Sequence, residues 1–137
     1  QALGSAAGLM LCLDTSSLIA YLQGNDGADV DFVDQALLDQ VGVVSPVTVA
    51  ELLSDPNLTS TLRRTILELP TLLVTEGFWE RAGLLRAKVL RSGRRANLAD
   101  TLIAQSCLDH HATLVTRDRD FKVFVSVTGL RVAVPFP

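Results

Sequence analysis

Short continuous apolar runs alternate along the chain with stretches whose apolar residues recur every three to four positions. Leu9 to Leu13 is unbroken, ends at Asp14, and is followed by Ser17-Leu18-Ile19-Ala20-Tyr21-Leu22, which predicts a buried strand turning at Asp14 into a helix closed by Gly24. Asp31 to Gln40 places Phe32, Val33, Ala36, Leu37 and Leu38 at helical spacing before a stop at Gly42. Val41 to Ser45 predicts a second buried strand, and Pro46 opens a helix to Leu53 that carries Glu51. Asp55-Pro56-Asn57 marks a turn, Leu58 to Leu69 a helix, and Leu72 to Thr75 a third strand. From Phe78, one helical face collects Phe78, Ala82, Leu85 and Val89 and another collects Arg81, Lys88 and Arg91, until Ser92-Gly93 ends the helix. Asn97 starts a helix that runs to His110, Thr113 to Thr116 forms a fourth strand, and Leu130 to Val134 an edge strand. Such alternation predicts an α/β fold with a mainly parallel sheet, helices on both faces, and all C-terminal strand ends at one edge.

Composition narrows the class. In 137 residues, 48% are hydrophobic and 12 Lys+Arg face 15 Asp+Glu, values of a single globular domain, here expected over residues 10–137, and not of a disordered chain. Charged or polar residues break every apolar stretch short of the ~18 residues of a bilayer span, so no membrane association is expected. Residues 1–9, small and uncharged, lack the basic start of a secretory signal and are read as a vector-derived or disordered segment ahead of Met10. Cys12 and Cys107 sit in apolar surroundings and suit a reducing, cytoplasmic setting. Charge is polarised along the chain. No Lys or Arg precedes Arg63, whereas Arg81, Arg86, Lys88, Arg91, Arg94 and Arg95 occur without an intervening acid.

In an open parallel sheet, ligands bind beyond the carboxyl ends of the strands. Asp14 directly follows the first strand, and Asp118 and Asp120 follow the fourth; Glu51 lies beyond the second, and Asp100 opens the helix before the fourth. Carboxylates aimed at one point repel unless protons or a hard cation compensate, and Mg²⁺ or Mn²⁺ takes oxygen ligands of this kind. Each acid also has a structural use: Asp14 as an N-cap, Asp100 in a capping box with Asn97, Glu51 as a surface helix residue, Asp118 in a turn. The apolar company of Asp100 in Leu98-Ala99-Asp100-Thr101-Leu102 and of Glu51 in Val49-Ala50-Glu51-Leu52 favours a site. Ser16 and Thr116 are placed to orient a carboxylate by hydrogen bonding, or equally to cap and turn. No Gly-rich phosphate loop, Gly-x-Ser-x-Gly elbow or Cys-x-x-Cys pair is present, which removes support for nucleotide-fuelled, serine-hydrolase and thiol-redox chemistry.

Four segments taken in order, Leu13-Asp14-Thr15-Ser16-Ser17, Ser45-Pro46-Val47-Thr48-Val49-Ala50-Glu51-Leu52, Leu98-Ala99-Asp100-Thr101-Leu102 and Leu114-Val115-Thr116-Arg117-Asp118-Arg119-Asp120-Phe121, resemble the motifs of PIN-domain proteins. The similarity is closest to the VapC-type toxins of toxin-antitoxin pairs and extends from Met10 nearly to the C-terminus. It implies a three-layer α/β/α sandwich and a Mg²⁺-dependent endoribonuclease, with Mn²⁺ as substitute. Asp14, Glu51, Asp100 and Asp118 match the family's acidic positions and are the expected catalytic set, with Asp14, Asp100 and Asp118 as metal ligands. Thr116, Ser16 and Asp120 are expected in support, Asp120 either completing the site or capping the next segment. The resemblance further implies a homodimer and a cognate antitoxin.

The chemistry expected on that basis is metal-assisted hydrolysis of an RNA phosphodiester, leaving a 5′-phosphate and a 3′-hydroxyl. Arg81, Lys88, Arg91, Arg94 and Arg95 are then candidates for holding RNA phosphates. Two rival readings are a catalytically silent PIN-like partner-binding module and a receiver-like phosphoacceptor domain. The second needs a Lys at a strand end, whereas Lys occurs only at Lys88 and Lys122.

Overall fold

The computed structural model describes residues 9–137, so the segment expected at 1–9 lies, except for Leu9, outside the described residues. Three parallel strands, β1 (Leu11–Leu13), β2 (Gly42–Val43) and β3 (Thr113–Val115), form a sheet in the order β2-β1-β3. Leu11 lies opposite Gly42 and Thr113, and Cys12 opposite Val43 and Leu114. Around the sheet run α1 (Thr15–Leu22), α2 (Ala28–Leu38), α3 (Pro46–Leu53), α4 (Ser60–Glu68), α5 (Phe78–Arg91), α6 (Leu98–His110) and, after a 3₁₀ turn at Arg119–Phe121, α7 (Lys122–Thr128).

The strands are apolar on both faces because both faces are covered, and the two-residue period of the pleat sorts their side chains into two cores. Cys12, Val43 and Leu114 pack with Leu85 and Val89 of α5, Ile103, Ala104 and Cys107 of α6, and Phe121 and Phe124 around α7. Leu13, Val44 and Val115 pack with Leu18 of α1, Val33 and Ala36 of α2, Leu52 of α3 and Ile66 of α4. The result is the expected three-layer sandwich, with α1 to α4 on one face and α5 to α7 on the other.

Of two expected strands, Leu72 to Thr75 is absent, with one bridge just ahead of it between Val44 and Thr71, and Leu130 to Val134 is reduced to one bridge between Leu114 and Val132. The segment Leu72 to Thr75 makes no strand because its partner is already gone: β2 passes at Ser45 into α3, whose first residue, Pro46, has no N–H to give a ladder. Beyond Leu72 the segment is tied to α6 instead, the Leu73 carbonyl to the His110 ring (2.7 Å) and the Thr75 hydroxyl to Asp109 (3.2 Å). Trp79 stands 62% exposed with its ring edge-on to Phe78. No helix among the described residues is long and apolar enough to cross a membrane.

Candidate active site

The same pleat parity that sorts the core decides where the acids point. Cys12 and Leu114 face the layer of α5 to α7, so two residues further on Asp14 and Thr116 face it too, and there α6 presents Asp100 on its first turn. Asp14 is 3% exposed and serves as the N-cap of α1. Its Oδ2 accepts from the Ser16 hydroxyl (2.7 Å), the Thr116 hydroxyl (2.8 Å) and the Ser16 N–H (3.4 Å). Burial pushes the Asp14 carboxyl above its usual range, and the two hydroxyls limit the rise. Capping and siting are thus one arrangement.

Thr15, Ser16 and Ser17 form the first turn of α1, where successive side chains fan out by about 100°. Their hydroxyls accordingly reach three different acids: Thr15 donates to Glu51 Oε1 (2.6 Å), Ser16 to Asp14, and Ser17 to Asp29 Oδ2 (2.8 Å). Glu51, exposed on α3, is thereby tethered at the edge of the site. Ser45 and Pro46 set the direction of that helix, Ser45 Oγ accepting from the Val47 N–H at 3.3 Å.

Asp118 and Asp120 are joined by a short Asx turn. Asp118 Oδ1 accepts from the Asp120 N–H (2.9 Å), and the Asp118 N–H donates to Thr116 Oγ1 (3.0 Å). Asp118 therefore caps the 3₁₀ turn, leaving the Asp120 side chain for the cluster. One carboxylate oxygen each from Asp100, Asp118 and Asp120 lies within 4.8 Å of the others. Asn97 Oδ1 accepts the Asp100 N–H at 3.1 Å, which is one half of the capping box anticipated for this pair. Burial, followed by the negative charges of Asp118, Asp14, Asp120 and Glu51, pushes the Asp100 carboxyl up to about 7. The other four sequence-predicted acids are thus gathered around Asp100, with Asp120 in the tightest trio and Asp14 set deeper. Hard oxygen donors in this number suit Mg²⁺ or Mn²⁺, and the surplus negative charge is of the sign such an ion would neutralise.

A groove of about 900 Å³ adjoins the cluster, with Asp100 and Asp120 on its wall. Its basic residues come from two segments, Arg86, Arg94 and Arg95 before α6 and Arg119 and Lys122 after β3. Arg86 Nε donates to the Ala96 carbonyl (2.8 Å) and Arg94 Nη2 to the Ser126 hydroxyl (3.3 Å), so both are held in place. The basic run does not act as one surface. Arg81 is bound to Asp109 (2.6 Å) near the far end of α6, nine residues or about 13 Å along the axis from Asp100. Lys88 and Arg91 are exposed on α5 and are not part of the groove lining. Arg86, Arg119 and Lys122 were not anticipated as phosphate-holding residues, although Arg86 lay in the basic run and the other two beside Asp118 and Asp120 in the sequence.

Residues 11–125 match the PIN domain family. The chain is 31% identical over 135 residues to Ribonuclease VapC11 of Mycobacterium tuberculosis and, to the same degree, to VapC ribonuclease Mb1587 of Mycobacterium bovis, each match covering 90% of this chain and 98% of the relative. Among solved structures, VapBC-1 from nontypeable Haemophilus influenzae superposes with a TM-score of 0.68 at 24% identity, covering 89% of this chain and 95% of that one. VapBC2 from Rickettsia felis, bound to a DNA fragment from its promoter, gives 0.64 at 21% identity, covering 89% and 96%. These structures share the fold.

Proposed function

This chain belongs to the PIN domain family, and from that premise we propose that it is a Mg²⁺- or Mn²⁺-dependent endoribonuclease, the toxin of a VapBC-type toxin-antitoxin pair. The observation that carries the reading is the gathering of Asp118, Asp120, Asp14 and Glu51 around Asp100, beside a groove whose opposite charge comes from Arg86, Arg94, Arg95, Arg119 and Lys122. An RNA strand fits both halves of such a surface, its flanking phosphates on the basic groove and one phosphodiester at the acids. A bound ion would be held by Asp100, Asp118 and Asp14, with Asp120 beside them, and would supply Lewis-acid activation of water and charge stabilisation at the phosphate.

The chain's own groups have separate tasks. Ser16 and Thr116 keep the Asp14 carboxylate in one orientation, and Thr116 couples it to the Asp118 backbone. Glu51, exposed and bonded to Thr15, would take a proton from water approaching the phosphate. Arg94, Arg95, Arg119 and Lys122 bind the RNA backbone without reading its sequence. The names of the structural neighbours support a cognate antitoxin as partner, and a homodimer and a cytoplasmic location belong to the same proposal.

The test is cleavage of a mixed cellular RNA pool by purified protein with Mg²⁺ or Mn²⁺, with EDTA and Asp100→Asn in parallel. Cleavage that both controls abolish is the expected result. Cleavage that persists in Asp100→Asn would overturn the assignment. Folded protein that binds neither ion would replace it with a catalytically silent partner-binding module.

A further inference from the structure

The chain emerging from β3 carries three consecutive side chains with three destinations. Thr116 bonds Asp14, Asp118 joins Asp100 and Asp120, and Arg117 between them points the other way. Leu114 and Val115 already face opposite layers, so an extended continuation sends Thr116 and Asp118 toward α6 and Arg117 toward α1 and α2; Asp118 is indeed extended (φ −83°, ψ 115°). There Arg117 forms a two-pronged pair with Asp29, Nε to Oδ2 at 2.8 Å and Nη2 to Oδ1 at 3.0 Å, and Nη2 also donates to the Asp26 carbonyl (3.1 Å). Asp29 is 6% exposed and is held from a third direction by the Ser17 hydroxyl. Gly27 lets the pair close: a Cβ there would stand 2.6 Å from Asp29 Oδ1 and 2.8 Å from Arg117 Nη2. The Arg117 N–H points to Ser16 Oγ (3.4 Å), the same hydroxyl that holds Asp14.

We propose that Arg117, clamped to Asp29, is a positioning residue for the acidic site: it anchors the strand-end segment from the opposite face of the sheet and so fixes where Thr116 and Asp118 stand relative to Asp14 and Asp100. Arg117 lies next to Asp118 in the chain yet gives its charge to Asp29, which leaves the cluster negative while holding its geometry. The inference rests on the nuclease reading for its effect on turnover, but not for its effect on ion binding.

The experiment compares Arg117→Gln, Asp29→Asn and the double variant with the unaltered protein, using Arg81→Gln as the control that breaks the other ion pair. Mn²⁺ affinity without RNA, kcat and KM for RNA, and melting temperature are measured for each. Expected are losses of about 10- to 100-fold in kcat and a weaker Mn²⁺ affinity in either single variant, an unchanged KM, and a double variant no worse than the singles. Arg81→Gln leaves all three binding and turnover values unchanged. A raised KM in Arg117→Gln alone would mean that Arg117 touches RNA and would overturn the proposal. So would a lower melting temperature with intact kcat and Mn²⁺ affinity, which marks a purely structural pair. If a single variant fails to fold, the double variant, which leaves no buried charge unpaired, decides. Absence of cleavage by the unaltered protein would refute the nuclease reading, and the Mn²⁺ affinities would then decide the clamp alone.

Discussion

Asp29 and Asp100 occupy equivalent places, the first turns of α2 and α6, yet their carboxyls are driven in opposite directions. A helix N-terminus favours the charged form at both, and burial opposes it at both. At Asp29 the Arg117 bonds and charge, with the Ser17 hydroxyl, outweigh burial and hold the carboxyl below its usual range. At Asp100 burial is joined by four further carboxylates, and the carboxyl rises to about 7. Asp109 repeats the first pattern at the other end of α6, where Arg81 and Gln105 together outweigh burial. Arg117 and Arg81 are therefore paired with acids that brace the structure, whereas among the described residues no ion pair joins an arginine to Asp14, Glu51, Asp100, Asp118 or Asp120. A folded chain keeps such unneutralised charge only at a cost in stability, which is the usual mark of a site whose compensating charge comes from outside.

The comparison breaks most sharply at Asp100. Asp100→Asn should lower RNA cleavage at least about 100-fold, measured as kcat/KM at saturating Mg²⁺. The same change should stabilise the ion-free protein. Its folded pKa lies above the unfolded value, so the protonated carboxyl's contribution is complete at low pH and is lost as pH rises through about 7. Asp100→Asn should therefore melt about 3 °C or more above the unaltered protein at pH 8, with the gap closing toward pH 4. A second consequence concerns ion binding. With Asp100 as the proposed ion ligand, Mn²⁺ would have to displace its proton, so affinity measured by calorimetry should fall below pH 7, approaching about tenfold per pH unit.

Smaller effects separate the two arginine sets. Replacing Arg94, Arg95, Arg119 or Lys122 by Gln should raise KM for RNA and flatten its salt dependence by about 0.7 in log–log slope for each phosphate no longer neutralised. Arg81→Gln should leave that slope alone and lower the melting temperature only slightly. An Arg81 variant that changes the salt slope would contradict the division of the basic residues drawn from the groove. On the acid side, the Asp29 contribution to stability is present above the unfolded pKa and is lost as pH falls through the lower folded value. Asp29→Asn should consequently flatten the acid limb of the stability profile, read by melting temperature between pH 5 and 3.

Asp14, Asp118 and Asp120 were legible because they sit at strand ends or in the turn beside one, and parallel topology brings those ends together, whereas Glu51, on α3 beyond β2, was legible from its motif. Their compensated counterparts were not. Asp29 lies in a helix rich in aspartates and its partner is 88 residues away, so no local pattern links them. The basic groove was half legible, since six cations in a row drew attention to α5 while the fold used three of them with Arg119 and Lys122. Helical rotation decides which members of such a run share a face, and tertiary packing decides which face meets the site. The segment Leu72 to Thr75 had a strand's composition but no neighbouring backbone to pair with after Pro46, a condition that propensity does not register.

The most direct test of whether the acids around Asp100 bind a divalent cation, as proposed, is the melting temperature at pH 8 of the unaltered protein and Asp100→Asn across a Mn²⁺ titration. Without Mn²⁺ the unaltered protein should melt lower, and added Mn²⁺ should raise it past an Asp100→Asn curve that scarcely moves. An unaltered protein that melts at or above Asp100→Asn without the ion, and does not respond to it, would show that these acids hold no cation.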